Sequence, residues 1–295
     1  MPAAKWFLGA VAVAFSVTVI GAPLSAVATT SIVGDVVKAI GGEEVSLVVL
    51  FPPGTDPHTF EPTPRDLRAL HAVDVAFING AGLEEGLAPI LTSPELRGKV
   101  VDLSAGLPLR ALDGNDDHGE VDPHVWFDPL LVAEWTRTIE MVLGALDPDR
   151  QDTFAARAAA YRSELASLDG WIQAQVALLP AERRVLVTDH RVLGYFAARY
   201  GFAEAGAIVS GFSTLAEPSA RDMAALTDRI HALGVPAVFV SAEFNPDLAT
   251  QLARDTGTQV VVLFHGSLSA PDGPAPDYLS FMRENVRRIV EALRG

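Results

Sequence analysis

The sequence predicts an α/β protein whose two lobes are joined by one long helix. In the first half of its 295 residues, short apolar runs alternate with segments that have helical spacing. A long, alanine-rich amphipathic stretch follows, and the alternation then resumes. Strands that alternate with helices pair in parallel, so each half of the chain is expected to form one lobe with a parallel sheet.

The expected N-terminal lobe covers residues 27–148 and begins directly after an apolar N-terminal segment. Pro64 stands near the start of a helical pattern, a position that proline favours. The strands are predicted at 26–32, 45–51, 73–79 and 100–103, and the helices at 34–40 and 64–72.

A single linking helix is predicted over residues 149–179. Apolar side chains recur there at helical spacing, at positions 154, 158, 161, 165, 168 and 172. Pro180 ends the pattern, and the C-terminal lobe is expected to cover residues 180–295. Its predicted strands are 185–188, 237–240 and 260–264, and its predicted helices are 192–200, 246–256 and 276–294.

The N-terminal segment has the pattern of a secretory signal peptide, assigned to residues 1–26. Lys5 precedes an uncharged apolar run from Trp6 to Ile20, and small residues follow. The run is short for a membrane-spanning helix, which needs roughly 20 apolar residues. Cleavage after Ala22 and cleavage after Ala26 both fit the pattern.

Composition narrows the location and the partners of the mature chain. The sequence contains no cysteine, which rules out disulfides, thiolate metal ligands and a lipid anchor on an N-terminal cysteine. A formal net charge of -15 makes nucleic acids and anionic membranes poor partners and mildly attracts cations. The mature protein is therefore expected to be soluble in a bacterial periplasm.

Three histidines stand in loops where predicted strands end: His58, His124 and His190. In open α/β sheets, ligands bind beyond the carboxyl ends of the strands, so these side chains could face one cleft. Neutral imidazole is a good ligand for zinc and several other divalent transition metals. For each histidine taken alone, hydrogen bonding within its own turn is the alternative role.

An aspartate precedes each of these histidines by one or two positions. Such carboxylates are expected to orient the imidazole rings or to offset the charge of a bound cation. The three are Asp56, Asp122 and Asp189.

Six motifs are spread over nearly the whole mature chain. They are TTSIVGDVV at 29–37, GTDPHTFEP at 54–62, FINGAGLE at 77–84, DPHVWFDP at 122–129, TDHRVLGY at 188–195 and YLSFMREN at 278–285. Together they resemble the zinc- and manganese-receptor family of bacterial ABC importers, the metal-binding branch of the periplasmic solute-binding proteins. The resemblance implies two Rossmann-like lobes, one long rigid helix that limits hinge motion, and a metal site in the cleft between the lobes.

The same resemblance implies a function and a ligand set. The expected function is capture of a divalent transition metal as cargo and its delivery to a membrane permease with its associated ATPase, by a monomer. The first three ligands of the family fall on His58, His124 and His190. A histidine at the third position is typical of zinc receptors, whereas manganese receptors often have glutamate there. Zn²⁺ is therefore the favoured cargo, and Mn²⁺ is the alternative.

The fourth ligand position departs from the family pattern. Where many relatives have an aspartate in a segment such as LYTDSL, this chain has LFHGSL at 263–268, with Gly266 at the ligand position. His265 could supply a fourth nitrogen. Glu243, Asp272, a water molecule or three-coordinate binding are the alternatives.

The remaining histidines are weaker candidates. His118 lies in a short acidic loop, where either an accessory metal site or a solvated loop would fit. His71 and His231 fall in predicted helices and are expected to be surface residues.

Two other classes of protein are rivals to the metal receptor. A zinc hydrolase would use three histidines, a metal-bound water and a general base such as Glu61 or Glu243. A surface adhesin has precedent among relatives but no separate support in this sequence. The resemblance favours a binding protein over an enzyme.

Overall fold

A computed structural model describes residues 21–111 and 121–294. The N-terminal lobe contains a four-stranded sheet in the order β2-β1-β3-β4, and every pair of neighbours is parallel. The strands are β1 (Leu24–Thr30), β2 (Val45–Phe51), β3 (Val75–Ile78) and β4 (Val100–Asp102). The predicted parallel sheet is therefore confirmed in this lobe.

Helices cover both faces of this sheet. They are α1 (Ser31–Gly41), α2 (Pro64–Ala72), α3 (Ala88–Leu91) and α4 (Pro129–Leu146). The side chain of Thr30 accepts the N–H of Val33, so α1 begins at Ser31 and the first strand ends earlier than predicted. α4 is absent from the predicted elements, although Asp128 caps its first turn.

The linking helix is α5 (Gln151–Val176), which a short 3-10 turn at Pro148–Arg150 precedes. All six apolar positions that predicted it are buried. α5 packs against α1, α4 and α9 (Tyr278–Arg294), and these helices share one core cluster with strands of both sheets. Because that core is continuous between the lobes, a wide hinge motion would expose buried apolar surface.

The C-terminal lobe repeats the arrangement with the sheet order β6-β5-β7-β8, again all parallel. Besides α9, its helices are α6 (Gly194–Tyr200), α7 (Ala220–Leu233) and α8 (Pro246–Thr256). β6 is absent from the predicted strands because its sequence, AEAGA, lacks the β-branched and aromatic residues that favour strands. The strands are β5 (Val185–Thr188), β6 (Ala203–Ala207), β7 (Ala237–Ser241) and β8 (Gln259–Leu263).

The N-terminal predictions fall largely outside the described residues, as does His118. β1 begins at Leu24, so cleavage after Ala26 would remove its first three residues, whereas cleavage after Ala22 would leave it whole. Within 21–111 and 121–294, no helix combines the length and the apolar character that crossing a membrane requires.

Candidate metal centre

The three predicted histidines come together between the lobes, but the prediction that each stands at a strand end is wrong for His124, because β4 ends at Asp102. His58 lies in the loop between β2 and α2, His124 in the turn before α4, and His190 directly after β5. The Nε2 atom of His124 lies 3.2 Å from that of His58 and 3.3 Å from that of His190. All three side chains are buried, and their ring nitrogens form one compact group.

Two carboxyl groups contact the Nδ1 atoms of two of the rings. Asp122 Oδ1 lies 2.7 Å from His124 Nδ1, and Asp189 Oδ1 lies 2.8 Å from His190 Nδ1. A ring that donates Nδ1–H to a carboxylate presents a lone pair at Nε2. With Nδ1 protonated in both rings, the Nε2 lone pairs of His124 and His190 would face each other at 3.3 Å, an arrangement that a cation between them would stabilise.

The spacing and the enclosed volume suit a single ion. Two nitrogens that each lie about 2.0–2.1 Å from a tetrahedral zinc are roughly 3.3 Å apart. The pocket between the rings measures about 10 Å³. That volume accommodates roughly one water-sized sphere and excludes an organic ligand.

Burial keeps the imidazoles in the form that binds metals. Burial, together with the neighbouring His190, lowers the pKa of His58 to about 4. Burial holds the pKa of His124 well below its ordinary value, and the adjacent rings add to this effect. Both rings are therefore neutral at neutral pH, as metal coordination requires.

The two supporting carboxylates respond differently to burial. Burial raises the pKa of Asp122 to about 8, and a cation held by His124 would oppose this shift by favouring the ionised carboxylate. Burial would also raise the pKa of Asp189, but the neighbouring His265 and His190 rings outweigh it and hold that pKa well below its usual range.

His265 lies at the edge of the same pocket, two residues after β8. Its ring centre is 5.6 Å from that of His190, and its Nδ1 is 3.3 Å from Asp189 Oδ1. Neither ring nitrogen has an aligned hydrogen bond among the described residues, although the side chain is buried. His265 groups with Asp189 and His190 and not with the three converging nitrogens, so its role as fourth ligand stays a prediction.

The other predicted fourth ligands are placed less favourably. A Cβ atom at Gly266 would lie 2.6 Å from the ring of Pro57, so that packing requires glycine. Glu243 is exposed and lines the pocket. Asp272 is exposed in the loop before α9 and is not among the described residues that line the pocket.

The His124 loop (residues 121–128) is held from three directions. Three of its backbone carbonyls accept hydrogen bonds from buried side chains of α6, of α9 and of the residue that follows β3. The donors are Tyr195 to Asp122 (2.9 Å), Tyr278 to Trp126 (2.7 Å) and Asn79 to Pro123 (3.0 Å). The sequence does not assign these donors a role, although all three stand within the quoted motifs.

Two identical Asp-Pro-His turns hold two of the histidines. In each, the aspartate Oδ1 accepts the histidine backbone N–H at 2.9 Å, in Asp56 for His58 and in Asp122 for His124. Asp122 also bonds the ring of its histidine, as predicted. Asp56 instead accepts a hydrogen bond from the hydroxyl of Thr214, at 2.6 Å and from the other lobe.

The peripheral histidines lie away from this centre. His71 is in α2 and His231 is in α7, and both are exposed, as the sequence predicts. Glu61, a predicted general base of the hydrolase alternative, is exposed and is not among the described residues that line the pocket.

Two parallel α/β lobes that share one long helix and enclose a histidine cluster define a two-lobed binding protein with a rigid link. The chain belongs to the family described as zinc-uptake complex component A, periplasmic, whose model matches residues 26–292. This confirms the family that the sequence motifs indicate.

Relatives of both metal types are similar to the chain over most of its length. The zinc-binding protein TroA of Treponema pallidum is 34% identical over 282 residues, which are 92% of this chain and 89% of that protein. The manganese-binding lipoprotein MntA of Halalkalibacterium halodurans is 32% identical over 277 residues, again 92% and 89%. The solved structure of the Treponema pallidum periplasmic zinc-binding protein TroA matches with a TM-score of 0.85 and 32% identity, covering 92% of this chain and 99% of that one.

Proposed function

We propose that this protein captures one divalent transition-metal ion, preferentially zinc, and delivers it to the permease and ATPase of an ABC importer. The observation that carries the proposal is the convergence of buried imidazole nitrogens, in which the Nε2 atom of His124 lies 3.3 Å from that of His190. His58 completes a three-nitrogen face on the same point. These three histidines are the proposed principal ligands.

The donor set supports zinc over manganese. Imidazole nitrogen suits zinc, whereas the harder manganese ion prefers oxygen ligands. The converging atoms are three nitrogens, and the nearest carboxylates, Asp122 and Asp189, bond the far sides of the rings. Manganese remains the alternative cargo, since relatives named for each metal are about equally similar.

We propose His265 as the fourth ligand. Its two ring nitrogens are buried without aligned hydrogen bonds, an arrangement that a metal bond would relieve. The shared carboxylate of Asp189 lies 3.3 Å from Nδ1, which is where a supporting group for a metal-bound imidazole belongs.

The proposed location is the periplasm, after cleavage of the N-terminal segment. Cleavage after Ala22 is preferred because it leaves β1 whole. Several relatives are named lipoproteins, but the 295 residues contain no cysteine to which a lipid could be attached.

Metal analysis and competition titration of the purified apo protein test the proposal. We expect one zinc per chain, tighter binding of zinc than of manganese, and weaker zinc binding in His265→Ala. His71→Ala and His231→Ala are matched controls, because they remove exposed imidazoles far from the centre. Absence of bound zinc, or tighter binding of manganese, would contradict the proposal.

The hydrolase alternative makes a different demand. It needs an open coordination position and a general base close to it, for which Glu243 at the pocket edge is the remaining candidate. If the protein only binds zinc, as we propose, the zinc-loaded protein should show no esterase or hydratase turnover. Turnover that disappears in His190→Ala would replace the binding function by an enzymatic one.

A further inference from the structure

Asp56 connects the backbone of one proposed ligand to the opposite lobe. Its Oδ1 accepts the backbone N–H of His58 at 2.9 Å, and its Oδ2 accepts the hydroxyl of Thr214 at 2.6 Å. Thr214 lies in the cleft loop (residues 208–219), which joins β6 to α7 in the C-terminal lobe. A single carboxylate thus links the position of His58 to the position of this loop.

The ring of His58 has less support than the other two converging rings. The Nδ1 atoms of His124 and His190 each contact a buried carboxylate. The Nδ1 atom of His58 has no hydrogen-bond partner among the described residues. The orientation of this ring therefore depends on its turn, and the turn depends on Asp56.

Two larger cavities adjoin the ion pocket, and residues of the Asp-Pro-His turn at 56–58 line part of each. One measures about 680 Å³ and shares Asp56, Thr214 and Glu243 with the ion pocket. The other measures about 310 Å³ and shares His58. Val121 and Pro123 of the His124 loop also line the second cavity, but the residues from Asp122 to Phe127 are all buried, and His124 is not among the described residues that line either cavity. An ion that leaves toward solvent would therefore pass the His58 side.

We infer that the hydrogen bond between Thr214 and Asp56 is a latch that retains the ion. While it is formed, the cleft loop holds the His58 turn against the ion pocket. When it breaks, the turn and the loop separate and the ion is released into the larger cavity. Asp56 and Thr214 are positioning residues in this scheme, and the inference rests on the proposed metal-binding function.

The latch should act on release more than on capture. In this scheme the hydrogen bond forms only when the cleft loop contacts the His58 turn, so its loss would destabilise the bound state without altering the first encounter of the ion with the cleft. Glu217 and Glu243 line the larger cavity and favour cations at its mouth whether or not the latch is formed.

Stopped-flow release of zinc from the full chain to an excess of chelator tests the latch. Thr214→Val removes the hydroxyl at nearly constant volume and should raise the release rate about tenfold, as expected for one hydrogen bond to a charged group. The association rate and the melting temperature of the apo protein should stay at their wild-type values. Thr214→Ser should restore slow release, since it keeps the donor.

Thr59→Val is the matched control. Thr59 lines the same cavity and donates its hydroxyl to the backbone carbonyl of Asp56 at 3.4 Å, but among the described residues its side chain makes no hydrogen bond to the other lobe. Its release rate should equal that of the wild type. Unchanged release in Thr214→Val, or equal acceleration in Thr59→Val, would overturn the latch while leaving metal binding intact. A wild-type chain that binds no zinc would overturn the proposed function itself.

Discussion

The two Asp-Pro-His turns have the same sequence and the same backbone hydrogen bond but support their histidines differently. At 122–124 the aspartate also bonds the ring of its own histidine. At 56–58 the second carboxylate oxygen bonds a threonine of the other lobe. The carboxyl group of one turn therefore contacts the ring of its own histidine, whereas that of the other turn contacts a loop of the opposite lobe.

The surroundings of the two turns extend this difference. The His124 loop is buried and accepts hydrogen bonds from three separate elements, and the indole of Trp126 in turn donates to the carbonyl of His265 at 2.9 Å. In the His58 loop (residues 52–63), Pro52 to Gly54 are exposed. We therefore call the His124 loop the preorganised wall of the pocket and the partly exposed His58 loop its adjustable wall. Under the proposed function, the first wall would favour tight binding and the second would favour release of the ion.

Removal of a ligand from each wall should have the largest effect. His124→Ala should weaken zinc binding more than the roughly 10- to 100-fold that loss of a supporting group costs. His58→Ala should cost less, because the Nε2 of His124 is the atom that lies within 3.3 Å of both other rings. Competition titration against a chromophoric zinc chelator gives both affinities.

Circular dichroism of both apo variants serves as the control for folding. The comparison of the two walls would break down if His58→Ala lost as much affinity as His124→Ala or more. In that case the ring of His58 would be as firmly positioned as the ring of His124.

Asp189→Asn should have the next largest effect. This carboxylate bonds the ring of His190, lies 3.3 Å from that of His265 and accepts the backbone N–H of Ser241. An amide cannot accept at every one of these positions, so zinc affinity should fall about 10- to 100-fold. Isothermal titration with zinc measures the change.

Asp122→Asn is the matched comparison, since that carboxylate contacts the ring of His124 alone. We expect it to lose less affinity than Asp189→Asn. A larger loss of affinity in Asp122→Asn would contradict this expectation. It would mean that support of the His124 ring matters more for zinc affinity than the carboxylate of Asp189, which contacts two rings.

Much of this centre is predictable from local sequence, and the rest depends on contacts between distant segments. His58 and His190 are recognisable because each stands in a loop that follows a strand, and parallel sheets bring strand ends together. His124 is recognisable from the DPHVWFDP motif, since β4, the nearest described strand before it, ends at Asp102. The bond from Thr214 to Asp56 joins residues 158 positions apart. No periodicity or motif spacing indicates such a contact.

The same limit applies to the fold. α5 and β2 have strong apolar patterns and were predictable within a few residues, whereas β6 is a strand because it pairs with β5 and not because of its composition. Gly266 is an example within the pocket. In the sequence it stands where relatives have a ligand, and only the structure shows that the ring of Pro57 occupies the space that a side chain at 266 would need.

Glu84 supports the His124 loop indirectly, through a hydrogen bond with Asn79. Its buried carboxyl accepts the hydroxyl of Thr29 and the backbone N–H groups of Asn79 and Gly80, at 2.7, 2.7 and 3.1 Å. Asn79 then donates to the carbonyl of Pro123 in the His124 loop. Burial raises the pKa of Glu84 to about 7 despite these hydrogen bonds.

This raised pKa gives the smallest predicted effect, a pH dependence of stability. The protonated form is favoured in the folded state, so the contribution of Glu84 is full below about pH 4.5 and is lost as the pH rises through about 7. Between pH 5 and pH 8, the unfolding free energy of the wild type should fall relative to that of Glu84→Gln by about 2–3 kcal/mol, at about 1.4 kcal/mol per pKa unit.

Urea unfolding at both pH values measures this change in free energy, and Glu85→Gln, a variant of the exposed neighbouring residue, is the control. If wild type and Glu84→Gln change equally with pH, Glu84 is ionised throughout, and the support of the His124 loop rests on a charged carboxylate.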